Sequence, residues 1–242
     1  MSNELTEVFD FLKKNKPTFT CNLLSNSKQS VTFTPTDGRV LKKLLIEKED
    51  DTLRGKFQSL YNVAEQCLVG TKPNTLYLGD FFWVLANIRA KSNGETVTTW
   101  VECEHCNEEN KEVKVKILED FTITKLEQIV DKVIKISDNL EVELKFLTVG
   151  EYMDILKLSQ DEQAIYTLAQ YIDYIRFNDS VKEMSIEDKI EFLDNLTKEQ
   201  INKITKFVNK NKFGIELIYK MQCQKCKEPI TVDFTNLVLD FF

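Results

Sequence analysis

The 242 residues include one histidine, four prolines and seven glycines, so the chain is poor in groups for proton transfer, rigid turns and phosphate-cradling loops. None of the glycines falls in a Gly-x-Gly-x-x-Gly, phosphate-loop or Gly-x-Ser-x-Gly pattern. Most familiar acid-base and nucleophilic schemes are thereby excluded. Long apolar runs are missing too, and no stretch approaches the roughly 20 residues of a membrane span. The segment from Met1 to Glu7 has acidic residues where a secretory signal has basic ones, and no apolar core follows. A reducing, intracellular compartment is the expectation. Positive charge is the minority sign. A net charge of −7 argues against wrapping duplex nucleic acid, whose binding is driven by phosphate neutralisation. No internal repeat or low-complexity linker is visible.

Apolar residues make up 42% of the chain, enough at this length to bury a core without disulfide or metal staples. Six cysteines therefore call for another reason. Four of them form two Cys-x-x-Cys turns, Trp100-Val-Glu-Cys103-Glu-His-Cys106 and Tyr219-Lys-Met-Gln-Cys223-Gln-Lys-Cys226. Each is entered from an apolar or aromatic run. Each leaves through an alternating one, Val113-Lys-Val-Lys-Ile117 and Ile230-Thr-Val-Asp-Phe234. One β-hairpin knuckle is written twice. Two such knuckles supply the four sulfurs, at about 2.3 Å, that tetrahedral zinc prefers. The predicted metal ligands are Cys103, Cys106, Cys223 and Cys226, with Zn2+ the cofactor and iron the other metal such a set accepts. The inner cysteines are 117 positions apart, where ordinary zinc ribbons leave roughly 15 to 20 residues. The site must join distant parts of the fold. A redox dithiol is the competing reading, but that chemistry places Cys-x-x-Cys at a helix N-terminus, and both turns here lie between strands. His105 is read as solvent-facing at a knuckle tip, and Cys21 and Cys67 as buried small hydrophobes.

Periodicity places a short helix over residues 4–14, a hairpin from Thr18–Leu24 and Val31–Thr34, and helices over 39–49 and Leu53–Leu68. Thr75–Ala90 is apolar around its whole circumference, which predicts a central core helix. A second hairpin follows from Lys132–Ser137 and Leu140–Leu147. One or two helices are then expected from Gly150 to Arg176. Ser185 with Asp188, and Thr197 with Gln200, read as capping-box starts of two further helices. The strand Ile215–Met221 enters the second knuckle. The expected class is α+β: a mostly helical core with β-hairpins, and the two knuckles forming a split zinc ribbon around a helical insert. Its units are residues 1–95, an N-terminal hairpin with core helices; 96–118 with 214–242, the split ribbon; and 119–213, a mixed hairpin-helix insert.

Other clusters read blandly. Acidic neighbours such as Glu49, Asp50 and Asp51, or Asp161 and Glu162, are solvated surface in a chain with 39 acids. Lysines 198, 203, 206, 210 and 212 interleave with Ile201, Ile204, Phe207 and Val208, as an amphipathic helix requires. The C-terminal Leu237-Val-Leu-Asp-Phe-Phe242 must dock into its own core or a partner, and Phe241 and Phe242 are the candidate partner-binding residues.

The order of motifs resembles the baseplate protein family of T-even type tailed phages, which includes a hub component and a hub assembly factor. The residues that carry it are Thr34-Pro35, a helix containing Asp80, the stretch Ile88-Arg89-Ala-Lys-Ser92-Asn-Gly94, the turn Cys103-Glu-His-Cys106 and a hairpin ending in Leu144-Lys-Phe-Leu-Thr148. The resemblance implies a structural or assembly protein of a contractile tail. Such a protein is not an enzyme; it contacts other tail and hub proteins, in the host cytoplasm during assembly and in the virion baseplate. A nucleic-acid-binding zinc-ribbon regulator is the alternative from the motifs alone, and a redox or hydrolytic enzyme the third reading.

Overall fold

The most apolar helix of the sequence becomes the axis of the molecule. In a computed structural model that describes residues 8, 11–12, 15–40, 42, 50, 52–126 and 132–234, helix α2 spans Leu78–Asn93. It buries Phe81, Val84, Leu85 and Ile88 against one apolar cluster and Ala86 against another. It starts three residues later than periodicity suggests, because Pro73–Thr75 form a 3-10 turn and Tyr77 is extended. The buried carboxylate of Asp80, in its first turn, accepts from the Leu24 and Ser25 N–H groups at 2.7 and 3.0 Å.

Before this helix come strands β1 (Phe19–Asn22) and β2 (Ser30–Phe33), then helix α1 (Leu53–Cys67) and strand β3 (Leu68–Val69). The predicted hairpin and helix are both present. β3 adds to β2, so the chain leaves α1 directly into a three-stranded sheet in the order β1-β2-β3. Phe33, Phe57, Val63 and Phe81 fill the cluster between sheet and helices. Cys21 and Cys67 are buried there, and desolvation pushes each thiol up to about 12. Both are inert hydrophobes. Most of the helices expected at 4–14 and 39–49 lies outside the described residues.

After α2 the first knuckle is carried by β4 (Thr96–Glu102) and β5 (Glu109–Lys116), and a short strand β6 (Thr122–Thr124) follows. Next come β7 (Val133–Ser137), β8 (Leu140–Leu144), helices α3 (Val149–Ile155) and α4 (Gln160–Tyr171), and strands β9 (Ile172–Phe177) and β10 (Ser180–Lys182). The helix expected to run to Arg176 stops at Tyr171. Ile172–Phe177 is a strand pairing with β8, and Asn178 and Asp179, both at positive φ, turn it into β10. Two consecutive positive-φ residues are the geometry of a tight hairpin turn. The insert therefore holds a four-stranded antiparallel sheet, β10-β9-β8-β7, rather than a lone hairpin.

Helices α5 (Ile186–Asp194) and α6 (Lys198–Lys210) begin at the two predicted capping boxes, Ser185 with Asp188 and Thr197 with Gln200. They cover the sheet through Leu193, Ile204 and Phe207, packed with Val142, Leu144 and Ile172. The lysine-bearing face of α6 is its outer face. The chain then forms β11 (Gly214–Glu216), β12 (Ile218–Gln222) and β13 (Pro229–Asp233). The single strand expected from Ile215 is broken at Leu217, since β11 pairs with β6 while β12 pairs with β13. β11 passes very close to α2. A Cβ on Gly214 would lie 2.8 Å from Gly79 Cα, and one on Gly79 would lie 2.4 Å from Phe213 O. Only glycines permit that approach.

Candidate metal centre

Each knuckle is built by the same backbone device. In the first, the Cys103 N–H donates to Glu108 O and the Asn107 N–H to Cys103 O, at 2.9 and 2.8 Å. In the second, Cys223 N–H donates to Glu228 O and Lys227 N–H to Cys223 O, at 2.8 and 3.1 Å. The residue after the second cysteine is left-handed in both, Asn107 at φ 52° and Lys227 at φ 64°. This turn points both sulfurs of a knuckle the same way.

The four predicted cysteines come together. Their sulfurs all lie within 4.8 Å of one another, with Cys103 and Cys223 buried and Cys106 and Cys226 half-buried. The cross-knuckle pairs Cys103–Cys226 and Cys106–Cys223 each stand at 3.7 Å. A disulfide needs about 2.05 Å, whereas a tetrahedral metal at about 2.3 Å from four sulfurs separates them by roughly 3.8 Å. The geometry fits a cation and not a bond. Electrostatics agree. Backbone N–H groups of Cys226 and Lys225 draw the Cys223 thiol down to about 6. At Cys226 the Glu228 N–H favours the thiolate, but desolvation and the neighbouring sulfurs outweigh it and hold the thiol up at about 12. Four thiolates this close repel one another, and a dication at their centre removes that conflict. His105 is exposed and is not part of the cluster.

Asn110 is the residue that sequence reasoning missed. It is fully buried on β5 and reaches across to the other knuckle. Its Oδ1 accepts from the Gln224 N–H at 2.7 Å. Its Nδ2 donates to Glu108 O and Val101 O at 3.1 and 3.3 Å and lies 3.8 Å from Cys223 Sγ. An N–H aimed at a ligand sulfur steadies the thiolate, the usual service of groups behind a metal ligand. The exposed Lys225–Glu108 ion pair, at 3.1 Å, adds a weaker tie between the same two turns.

The stretch Ile88 to Gly94 also has a physical role. The Ser92 hydroxyl donates to Ile88 O at 2.7 Å and accepts from the Thr36 N–H at 2.8 Å. Arg89, 9% exposed, donates from Nη1 to Gly94 O at 2.8 Å, and Gly94 ends α2 at φ 91°. The motif finishes the core helix and aims the chain into the first knuckle.

With the fold and this centre described, the chain can be placed. The family described as T4 bacteriophage base plate protein matches residues 16–242, nearly the whole chain. The chain belongs to that family. Neither the curated proteins nor the solved structures contain a significant match. For a baseplate protein the remaining surface matters as much as the centre. A groove of about 560 Å³, walled by Leu78, Phe82, Phe146, Phe213 and Ile218, lies between the start of α2, the end of α6 and β11. Among the described residues, no helix is long and apolar enough to cross a membrane. Phe241 and Phe242 lie outside the described residues.

Proposed function

We propose that this chain is a structural or assembly protein of a contractile-tail baseplate hub, acting through protein–protein contacts and carrying one structural zinc. The observation that carries the reading is the family match over residues 16–242, joined to a cluster of four sulfurs close enough to take all four positions around a metal ion. Zinc bound to four thiolates has no open position for water or substrate and does no Lewis-acid chemistry. It ties strands together, and the chain is not an enzyme. Cys103, Cys106, Cys223 and Cys226 hold the metal.

The ribbon is split between residues 96–118 and 214–242, with 1–95 as the N-terminal unit and 119–213 as the insert. Three apolar clusters centre on Phe81, Leu193 and Phe234, one for each unit, and they are joined across the boundaries by Val149 and Leu156 in the first and by Ala86 and Phe121 in the third. Phe241 and Phe242 are offered as partner-binding side chains, because two terminal aromatics supply the apolar area that interface hot spots use. The protein works in the host cytoplasm during assembly and in the tail baseplate thereafter. Co-purification from infected cells tests the role. Tail or hub proteins should accompany the full chain, and removal of Phe241 and Phe242 should weaken that association while circular dichroism and metal content hold. A chain that purifies with no tail protein under any salt condition contradicts the reading.

A further inference from the structure

Strand β11 is paired with β6 along one edge, and among the described residues no strand takes the other. The groove of about 560 Å³ runs beside it, from Gly214 to Ile218 and across to Leu78 and Phe82 of α2. An open strand edge beside an apolar groove is where an extended segment adds itself. Its backbone takes the edge and its alternate side chains take the pockets.

The register of the second knuckle points to the segment that fits. β12 and β13 pair from Gln222 with Pro229 to Ile218 with Asp233, and the Phe234 N–H carries the ladder on to Leu217 O, in the wall of the groove. The same register, continued, would set residues 235–237 beside Glu216, Ile215 and Gly214. Directly opposed residues share a face of the ladder. Ile215, Leu217, Tyr219 and Met221 pack on the cluster around Phe234. Gly214, Glu216 and Ile218 therefore turn to the other face, where Ile218 walls the groove. Leu237 would stand opposite Gly214 on that face, with Leu239 and Phe241 following at a spacing of two. Both polar side chains of residues 236–242, Asn236 and Asp240, fall on the alternate face with Val238 and Phe242. The alternation is that of a half-buried strand.

We propose that Leu237–Phe242 lies extended along the open edge of β11, with Leu237, Leu239 and Phe241 in the groove and Phe242 facing outward. The eight residues after Phe234 span roughly 26 Å when extended, enough to follow β11 and enter the groove. The occupant is the chain's own segment because Phe234 tethers it at the lip, and a tethered segment outcompetes a free one through its effective concentration. The inference rests on the proposed partner role of Phe241 and Phe242 and divides it. Phe241 anchors the segment to its own chain, and Phe242 is what a partner meets.

Hydrogen exchange on the full, metal-loaded chain reads this seat through the amides of residues 213–218. Leu239→Ser/Phe241→Ser is compared with Val238→Ser/Phe242→Ser and wild type, after circular dichroism and zinc analysis of each. The first variant should raise exchange across 213–218 by about tenfold or more and the second by less than about twofold. The core around α1 should be unchanged in both. If the first variant misfolds, Phe241→Ser alone takes its place and should raise exchange in the same stretch. Equal exchange in wild type and both variants overturns the seat, and a rise confined to the Val238 and Phe242 variant overturns the register. Protection that falls on dilution of wild type assigns the groove to a second copy and overturns docking within one chain. Co-purification with tail proteins reads the baseplate role separately. Loss of those proteins in Phe242→Ser, with exchange unchanged, supports the division between the two aromatics, and their full retention there overturns it. If no tail protein accompanies wild type, the baseplate role falls and the exchange result still decides the seat.

Discussion

The two knuckles have the same turn and the same sulfurs but different moorings. The first leaves the end of α2 at Gly94 and continues into β6, so both of its strands are tied to folded structure. The second is moored upstream, where Gly214 presses on Gly79 at the start of α2 and β11 pairs with β6. Beyond β13, among the described residues, Phe234 packs edge-on to Phe121 and donates its N–H to Leu217 O at 2.8 Å. The comparison gives the proposed metal a task in a chain large enough to fold without one. A metal shared by the four sulfurs would tie together two hairpins that start from opposite ends of one helix.

The largest expected effect comes from removing a ligand. Cys223→Ser should release the metal and strip hydrogen-exchange protection from β12 and β13, while β4, β5 and the core around α1 and α2 keep most of theirs. Structural zinc contributes roughly 10 to 16 kcal/mol of apparent binding energy in small fingers; here the independent core confines the loss. Equal loosening of both hairpins would erase the asymmetry.

Next is the upstream mooring. Gly214→Ala forces a side chain against Gly79 at a φ of 126°, at a cost of roughly 2 to 4 kcal/mol. Denaturant unfolding read by circular dichroism would register it as a lowered midpoint. An unchanged midpoint would mean that β11 does not hold the second knuckle in place.

A smaller change is expected at the strut between the knuckles. Asn110→Ala leaves the Gln224 N–H and the Cys223 sulfur without their partner, which costs about 1 to 3 kcal/mol and lowers metal affinity about tenfold or more. Competition with a chelator measures the second quantity. Full retention of metal affinity would reduce Asn110 to packing.

The smallest effect separates the knuckles by one residue. Asn107 tolerates the left-handed region and Lys227 does not, at about 1 to 2 kcal/mol for an ordinary side chain. Lys227→Gly should therefore raise stability by up to about 1 kcal/mol, less the entropy glycine adds to the unfolded chain. Asn107→Gly should change little. The two thermal midpoints provide the check.

Local signals were legible in the sequence wherever chemistry fixed them at short range. The Cys-x-x-Cys turns, the capping boxes at Ser185 and Thr197, and the apolar girth of α2 each announce their structure within a few residues. What depended on distant pairing was not. Ile172–Phe177 has enough apolar residues to pass for the end of a helix, and becomes a strand because β8 offers an edge. β6 and β11 are three residues each and exist through one another. Asn110 looks like any polar strand residue, since its importance comes from Gln224, 114 positions away. The family resemblance was legible at Ile88–Gly94, and the structure supplies the reason those residues occur together: they end the core helix where the chain enters the first knuckle.

Metal content is the most direct measure of the central claim. The full chain, prepared without chelator and under reducing conditions, should carry one zinc per chain by elemental analysis. Cys103→Ser and Cys223→Ser should lose it alike, because each hairpin supplies half of one site. Wild type with well under one equivalent of metal, or a Cys223→Ser protein that keeps its zinc, would contradict the account.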